Sequence, residues 1–179
     1  MLEVTVLFAD ARGFTTFAEG RPPQEVARAL NAMFQSCNDV LLRHDAIVDK
    51  LMGDAVMAVF GAPIIRDDHA QQAVRAAMAI HEKASQAFPA DWEGACVRIG
   101  VNRGVAFVGR VGSDDVRDYT AVGDVVNVAQ RLQTEASPGE TLVSESVYEQ
   151  VSEAYPGAEK RVLTVKGRAE PVTAFALEP

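Results

Sequence analysis

IVDKLMGDAVMAVF, residues 47–60, consists of two apolar segments of strand-like composition on either side of Met52-Gly53-Asp54. The pattern predicts a β-hairpin with Gly53 and Asp54 at its turn, because these residue types supply the backbone freedom and local hydrogen bonding that tight turns need. Such a turn holds a carboxylate, Asp54, on a short loop, with Lys50 on the strand before it. Turn chemistry alone accounts for Asp54, but a second carboxylate has a similar setting. Residues 4–9 are an apolar run that ends at Asp10, followed by Arg12, Gly13 and Phe14. If the two strands are neighbours, Asp10 and Asp54 converge at one end of a sheet, beside glycine-containing backbone able to approach a phosphate. Two hard oxygen ligands in that position suit Mg²⁺-assisted phosphoryl chemistry.

Upstream of the hairpin, Pro22 and Pro23 open a helix whose apolar positions Val26, Leu30, Met33, Phe34, Cys37 and Leu41 recur at helical spacing. Downstream, a helix starts near Asp67 and Asp68, with Ala70, Val74, Ala77 and Met78 as its inward stripe. Residues 97–101 and 105–111 read as strands of a second hairpin about Asn102, Arg103 and Gly104, and Tyr119-Thr120 as the end of a link. Asp124 begins a helix that turns Val128 and Leu132 inward. Asn127 and Arg131, four apart, share one face of it, and on spacing alone a solvated polar stripe suffices to explain them. Residues 141–144 read as a strand, 145–151 as a short helix, and 161–165 and 171–177 as strands around Lys166-Gly167-Arg168. The order β-α-β-β-α-β, with an added C-terminal helix and strands, predicts an α+β fold: a ferredoxin-like sheet with helices on one face.

At 179 residues and 48% hydrophobic, the chain is sized for a single domain, residues 1–179, with a substantial core. A net charge of −8 and a pI near 4.9 exclude a general nucleic-acid-binding surface, though not a local basic pocket for a small anion. Cys37 and Cys96 form neither a disulfide framework nor a zinc pattern, and His44, His69 and His81 lack metal-site spacing, so these read as packing or surface residues. A reducing, cytoplasmic compartment fits. The longest apolar run, residues 55–65, is broken by Gly61 and Pro63 and is too short to span a membrane. No signal-peptide pattern opens the chain, and a strand begins almost at Met1, so the expectation is a catalytic piece of a longer protein, attached to a membrane, if at all, through other segments.

FADARGFT (8–15), VDKLMGDAVMAVFGAP (48–63), VRIGVNRG (97–104), DYTAVGDVVNVAQRL (118–132) and VKGR (165–168) together resemble the class III adenylate/guanylate cyclase catalytic domain over nearly the whole chain. The resemblance implies the nucleotide cyclase fold and a homodimer paired head to tail, each active site completed by residues of both copies. It makes Asp10 and Asp54, with the carbonyl of Ala11, the ligands of two Mg²⁺ or Mn²⁺ ions. The amides of Gly13, Phe14 and Thr15 would meet the outer phosphates, and Arg98 and Lys166 the triphosphate. Asn127 would orient the ribose, and Arg131 would stabilise charge on the α-phosphate.

In that family two residues read the base, and here they are Lys50 and Thr120. Adenine offers an acceptor ring nitrogen and a donor amine, which a lysine donor and a threonine oxygen complement; guanine presents the reverse. Guanylate-forming relatives typically place Glu and Cys at these positions. The implied activity is therefore adenylate cyclase, ATP to 3′,5′-cyclic AMP and pyrophosphate. Many members have Asp where Thr120 stands; the Thr form resembles a subgroup several of whose members respond to bicarbonate, and a bicarbonate response is the corresponding expectation. Ala11 stands where Ile is more usual, and Arg103 and Val105 where Thr and Glu are commoner, so Arg103 is expected to alter interface electrostatics. Two alternatives remain: a catalytically silent module that binds nucleotide or only dimerises, against which Asp10, Asp54 and Arg131 all stand in place, and a guanylate cyclase, which Lys50 and Thr120 oppose.

Overall fold

The computed structural model describes the backbone of residues 1–112, 117–164 and 171–178, with the side chains of all but 117 and 118 among these. In chain order the elements are β1 (Leu2–Ala11), α1 (Phe14–Ala18), α2 (Pro23–Arg43), β2 (Ile47–Met52), β3 (Ala55–Phe60), α3 (His69–Ala87), β4 (Val97–Gly112), β5 (Arg117–Val122), α4 (Asp124–Glu135), β6 (Thr141–Ser144), α5 (Glu145–Tyr148), β7 (Glu159–Leu163) and β8 (Val172–Leu177). The sheet runs β2-β3-β1-β4-β6-β8-β7, antiparallel except where β6 joins β4, and β5 pairs with the far end of β4. The expected βαββαβ unit is β1-α2-β2-β3-α3-β4, and its strands stand in the order β2-β3-β1-β4.

Strand β1 is apolar without alternation because both of its faces are covered. Leu7, Ala9 and Ala11 pack in one cluster with Met33, Cys37 and Leu41 of α2 and Val74, Ala77 and Ile80 of α3. Val4, Val6 and Phe8 point the other way, to Val125 and Ala129 of α4. Burying a side chain of Leu or Phe size contributes about 1.5–3 kcal/mol, so the sheet is held from both sides. The helices of the βαββαβ unit lie on one face as expected; the added helix α4 takes the opposite one.

Two local expectations are corrected. Residues 97–112 are one strand of 16 residues, not a hairpin turning at Asn102-Arg103-Gly104. Asn102 is buried and donates its side-chain amide to the Val125 carbonyl at 3.0 Å, and a Cβ on Gly104 would lie 3.4 Å from the Val125 side chain. The turn-forming residue types here make room for α4 and bond to it. The supposed link at Tyr119-Thr120 is strand β5, paired with β4 from Phe107↔Val122 to Gly112↔Arg117. The exit from β1 folds into the short helix α1. Among the described residues no helix is long and apolar enough to cross a membrane.

Candidate active site

Antiparallel pairing sets Asp10, near the end of β1, opposite Ala55 on one side and Arg98 on the other. The amide of Ala11 donates to the Asp54 carbonyl at 3.2 Å, which ties the hairpin tip to β1. Gly53 takes φ +63°, the left-handed conformation that a tight turn needs and a side chain resists. Asp10 and Asp54 therefore converge as the hairpin predicted. Burial raises the Asp54 carboxyl above its ordinary value, and the neighbouring Asp10 charge adds to the shift. One oxygen of Asp10, Oδ2, accepts from Arg98 at 2.6 Å and from the side-chain amide of Gln133 at 3.2 Å. Two carboxylates held together against their repulsion, with backbone oxygen alongside, are a hard donor set that fits a divalent cation. Among the described residues no cluster of three or more His, Cys, Asp or Glu side chains is arranged for a metal. The histidines serve packing: His69 bonds Thr5 at 2.7 Å, His81 bonds Thr141 at 2.8 Å and His44 bonds Gln72 at 3.1 Å.

The segment after Asp10 is braced from beneath. Gly13 takes φ +75° and starts α1, whose first intrahelical bond runs from the Phe17 amide to the Gly13 carbonyl at 2.9 Å. The amides before Phe17 thus have no partner within the helix. Trp92 stacks on Phe17 with ring centroids 4.3 Å apart and donates its indole N–H to the Arg12 carbonyl at 3.1 Å. The segment Gly13-Phe14-Thr15, which opens α1, is fixed by an aromatic cluster that holds the chain's one tryptophan.

Helix α4 lies against β4 so closely that a Cβ on Gly100 would stand 2.1 Å from the Gln133 amide nitrogen and 2.3 Å from the Ala129 carbonyl. Its buried face is Val125, Val128, Ala129, Leu132 and Gln133. Asn127 and Arg131 share the exposed face, as their spacing implied, and neither side chain has a hydrogen-bond partner among the described residues. Gln133 is two residues from Arg131, roughly 200° around the helix, so α4 touches Asp10 with one face and presents Asn127 and Arg131 on another.

Lys50 and Thr120 come together through a residue that the sequence reading passed over. Strand β2 carries a bulge: Val48 stands opposite Ala58 and Lys50 opposite Met57, leaving Asp49 as the extra residue. Met57 belongs to the face that α4 and Ala121 of β5 cover, so the bulge sets Lys50 on that face beside Asp49. The Thr120 hydroxyl donates to Asp49 Oδ2 at 2.5 Å, the Ala121 amide donates to the same oxygen at 3.3 Å, and Lys50 Nζ lies 3.7 Å from Oδ1. The Asp49 side chain is 1% exposed, whereas that of Lys50 is 36% exposed. No hydrogen bond or ion pair joins this group, or Asn127 and Arg131, to Asp10, Asp54 and Arg98 among the described residues. Lys166 lies outside the described residues. Arg103, expected to act at an interface, pairs with Glu3 at 2.9 Å.

Three supporting residues were therefore missed. A bulge has no composition signal, so nothing local marks Asp49. Nothing local marks Gln133 either, because its partner is 123 positions away. Trp92 offered a signal, being the only tryptophan in a polar turn.

The family profile of the adenylate and guanylate cyclase catalytic domain matches residues 1–179. Adenylate cyclase 1 of Rhizobium meliloti is 39% identical over 136 residues, 73% of this chain and 20% of that protein, so the chain spans about a fifth of that relative's length. The crystal structure of the adenylyl cyclase CyaB from P. aeruginosa matches with a TM-score of 0.88 and 28% identity, over 99% of this chain and 95% of that one. That of the guanylyl cyclase Cya2 matches with a TM-score of 0.88 and 29% identity, over 97% and 90%.

Proposed function

We propose that this chain, which belongs to the adenylate and guanylate cyclase catalytic-domain family, converts ATP to 3′,5′-cyclic AMP and pyrophosphate at sites shared between two copies of itself. The observation that carries the choice of base is the meeting of Lys50 and Thr120 at Asp49, which sets an ammonium donor and a hydroxyl oxygen side by side on one face. An adenine edge, acceptor next to donor, complements that pair, whereas guanine would set its ring N–H against the lysine. The separation of the two residue groups supports the shared site. Asp10, Asp54 and Arg98 form one half, and Lys50, Thr120, Asn127 and Arg131 the other.

In this reading the ribose 3′-oxygen bonds to the α-phosphorus, the bond from that phosphorus to the β-phosphate oxygen breaks, and the hydroxyl proton leaves to solvent. Asp10 and Asp54, with the Ala11 carbonyl, would hold two Mg²⁺ or Mn²⁺ ions, which when bound lower the pKa of the 3′-hydroxyl and neutralise triphosphate charge. Asn127 fixes the ribose so that the attack is aligned, and Arg131 stabilises charge that builds on the α-phosphate. Amides of the Gly13-Phe14-Thr15 segment, with Arg98 and Lys166, take the outer phosphates. Arg98 reaches them while still bonded to Asp10, because a guanidinium has donors to spare.

The test is product formation from ATP and from GTP, with Mg²⁺ and with Mn²⁺, across a series of protein concentrations. Cyclic AMP from ATP, little cyclic GMP, and specific activity that rises with concentration are expected, the last by mass action of dimer formation. Cyclic GMP as the main product would transfer the chain to the guanylate branch to which Cya2 belongs. No product from either nucleotide in a demonstrated dimer would make it a silent module.

A further inference from the structure

We infer that Asp49 is a specificity-determining positioning residue, which holds the Thr120 hydroxyl as a donor to itself so that the oxygen can only accept from the nucleotide base. The inference rests on the adenylate cyclase reading above and deepens it. A threonine hydroxyl is ambivalent: it can accept from the amine of adenine or donate to the carbonyl oxygen of guanine at the same place, by rotating one proton. Thr120 by itself therefore does not discriminate between the two bases on that edge. Its neighbour removes the ambiguity.

Three donors face the Asp49 carboxylate: the Thr120 hydroxyl at 2.5 Å, the Ala121 amide at 3.3 Å and the Lys50 ammonium at 3.7 Å. These donors make the carboxylate the acceptor, and the Thr120 proton goes to it at 2.5 Å rather than to the Ala121 carbonyl at 3.5 Å. The lone pairs of the hydroxyl then remain for an incoming amine. The bond is short and the Asp49 side chain 1% exposed, so water does not compete for it. Among the described residues Asp49 Oδ1 has no hydrogen-bond partner and faces the Lys50 charge, which tethers the ammonium next to the hydroxyl. The β-bulge is what makes this possible. In an unbroken strand Asp49 and Lys50 would point to opposite faces, and with the bulge both reach the face that β5 covers.

The test compares kcat/KM for ATP and for GTP in the wild-type chain and in Asp49→Ala, Asp49→Asn and Thr120→Val. Asp49→Ala frees the hydroxyl to rotate, and the ATP/GTP ratio is expected to fall about tenfold, the factor one base-edge hydrogen bond sets, by a gain on GTP as well as a loss on ATP. Asp49→Asn keeps a carbonyl oxygen for Thr120 and should retain the ratio within about threefold, as rescue by a conservative variant. In the Thr120→Val background, Asp49→Ala should change the ratio no further, because the group it positions is gone. A merely structural role would lower both substrates in parallel and leave the ratio fixed, and that result overturns the inference. If Asp49→Ala does not fold, Asp49→Ser, whose hydroxyl is too short to reach Thr120, replaces it. If neither folds while Asp49→Asn does, Asp49 serves the fold alone and the inference fails. A wild-type chain that makes no cyclic AMP fails the adenylate cyclase reading itself, which is distinguishable from an ATP-specific wild type whose ratio ignores Asp49.

Discussion

Asp54 is under two opposed demands, one from the fold and one from the chemistry. Burial and the Asp10 charge raise its carboxyl, so the metal-free chain is penalised as pH climbs from the ordinary value of 3.8 through the raised one. Asp54→Ala removes that penalty together with the carboxylate proposed to hold a cation. Turnover is expected to drop to background with either metal, while the thermal unfolding midpoint without metal holds or rises; normal turnover would refute the ligand assignment. His81 provides a separate check on the core. Burial lowers it from 6.5 to about 4, and it bonds Thr141 in its neutral form. A histidine with a depressed folded pKa contributes stability that is complete above pH 6.5 and lost as pH falls toward 4. Denaturant titrations over that window should show a steeper loss in wild type than in His81→Gln, the difference isolating His81 from His69, which burial shifts the same way. Equal slopes would place His81 outside the effect.

Helix α4 acts as one element with two faces. It rests on backbone at Gly100, bonds Asp10 through Gln133, and presents Asn127 and Arg131 to the opposite side. Gly100 is needed for the close approach, since any Cβ there collides with helix backbone that has no soft side chain to move. Overpacking of a tight contact costs about 1–3 kcal/mol, and Gly100→Ala is expected to lose at least that in chemical denaturation. It should also lower turnover well below what the lost stability explains, because the helix carries Asn127 and Arg131 of one proposed half-site and bonds Asp10 of the other through Gln133. Unchanged kinetics in Gly100→Ala would show that α4 tolerates displacement.

At the scale of the whole molecule, the proposed shared-site reading gives each chain one copy of each half-site, so that two copies in a dimer would form two composite sites. Mixing Asp54→Ala chains with Arg131→Ala chains should therefore restore activity that neither has alone, since each heterodimer holds one site with both defects and one with none. Recovery to about a quarter of the wild-type level is the statistical expectation, half of the dimers being mixed and half of their sites intact, for random exchange of subunits. No recovery in a mixture shown by mass to contain heterodimers would count against shared sites.

The sequence by itself determined the βαββαβ order, the hairpin that brings Asp54 to Asp10, the inward stripes of α2 and α3, and the shared face of Asn127 and Arg131. All of these follow from local periodicity and turn chemistry, which act over a few residues. It also carried the five motifs by which the family is recognised. The tertiary structure alone decided that residues 97–112 are one strand and that α4 covers the second face of the sheet. It alone revealed that Asp49, Gln133 and Trp92 support Thr120, Asp10 and the Arg12 carbonyl. The reason is common to Asp49 and Gln133: the partner lies 71 or 123 positions away, and a polar side chain buried against so distant a partner has the same local signature as one that faces water.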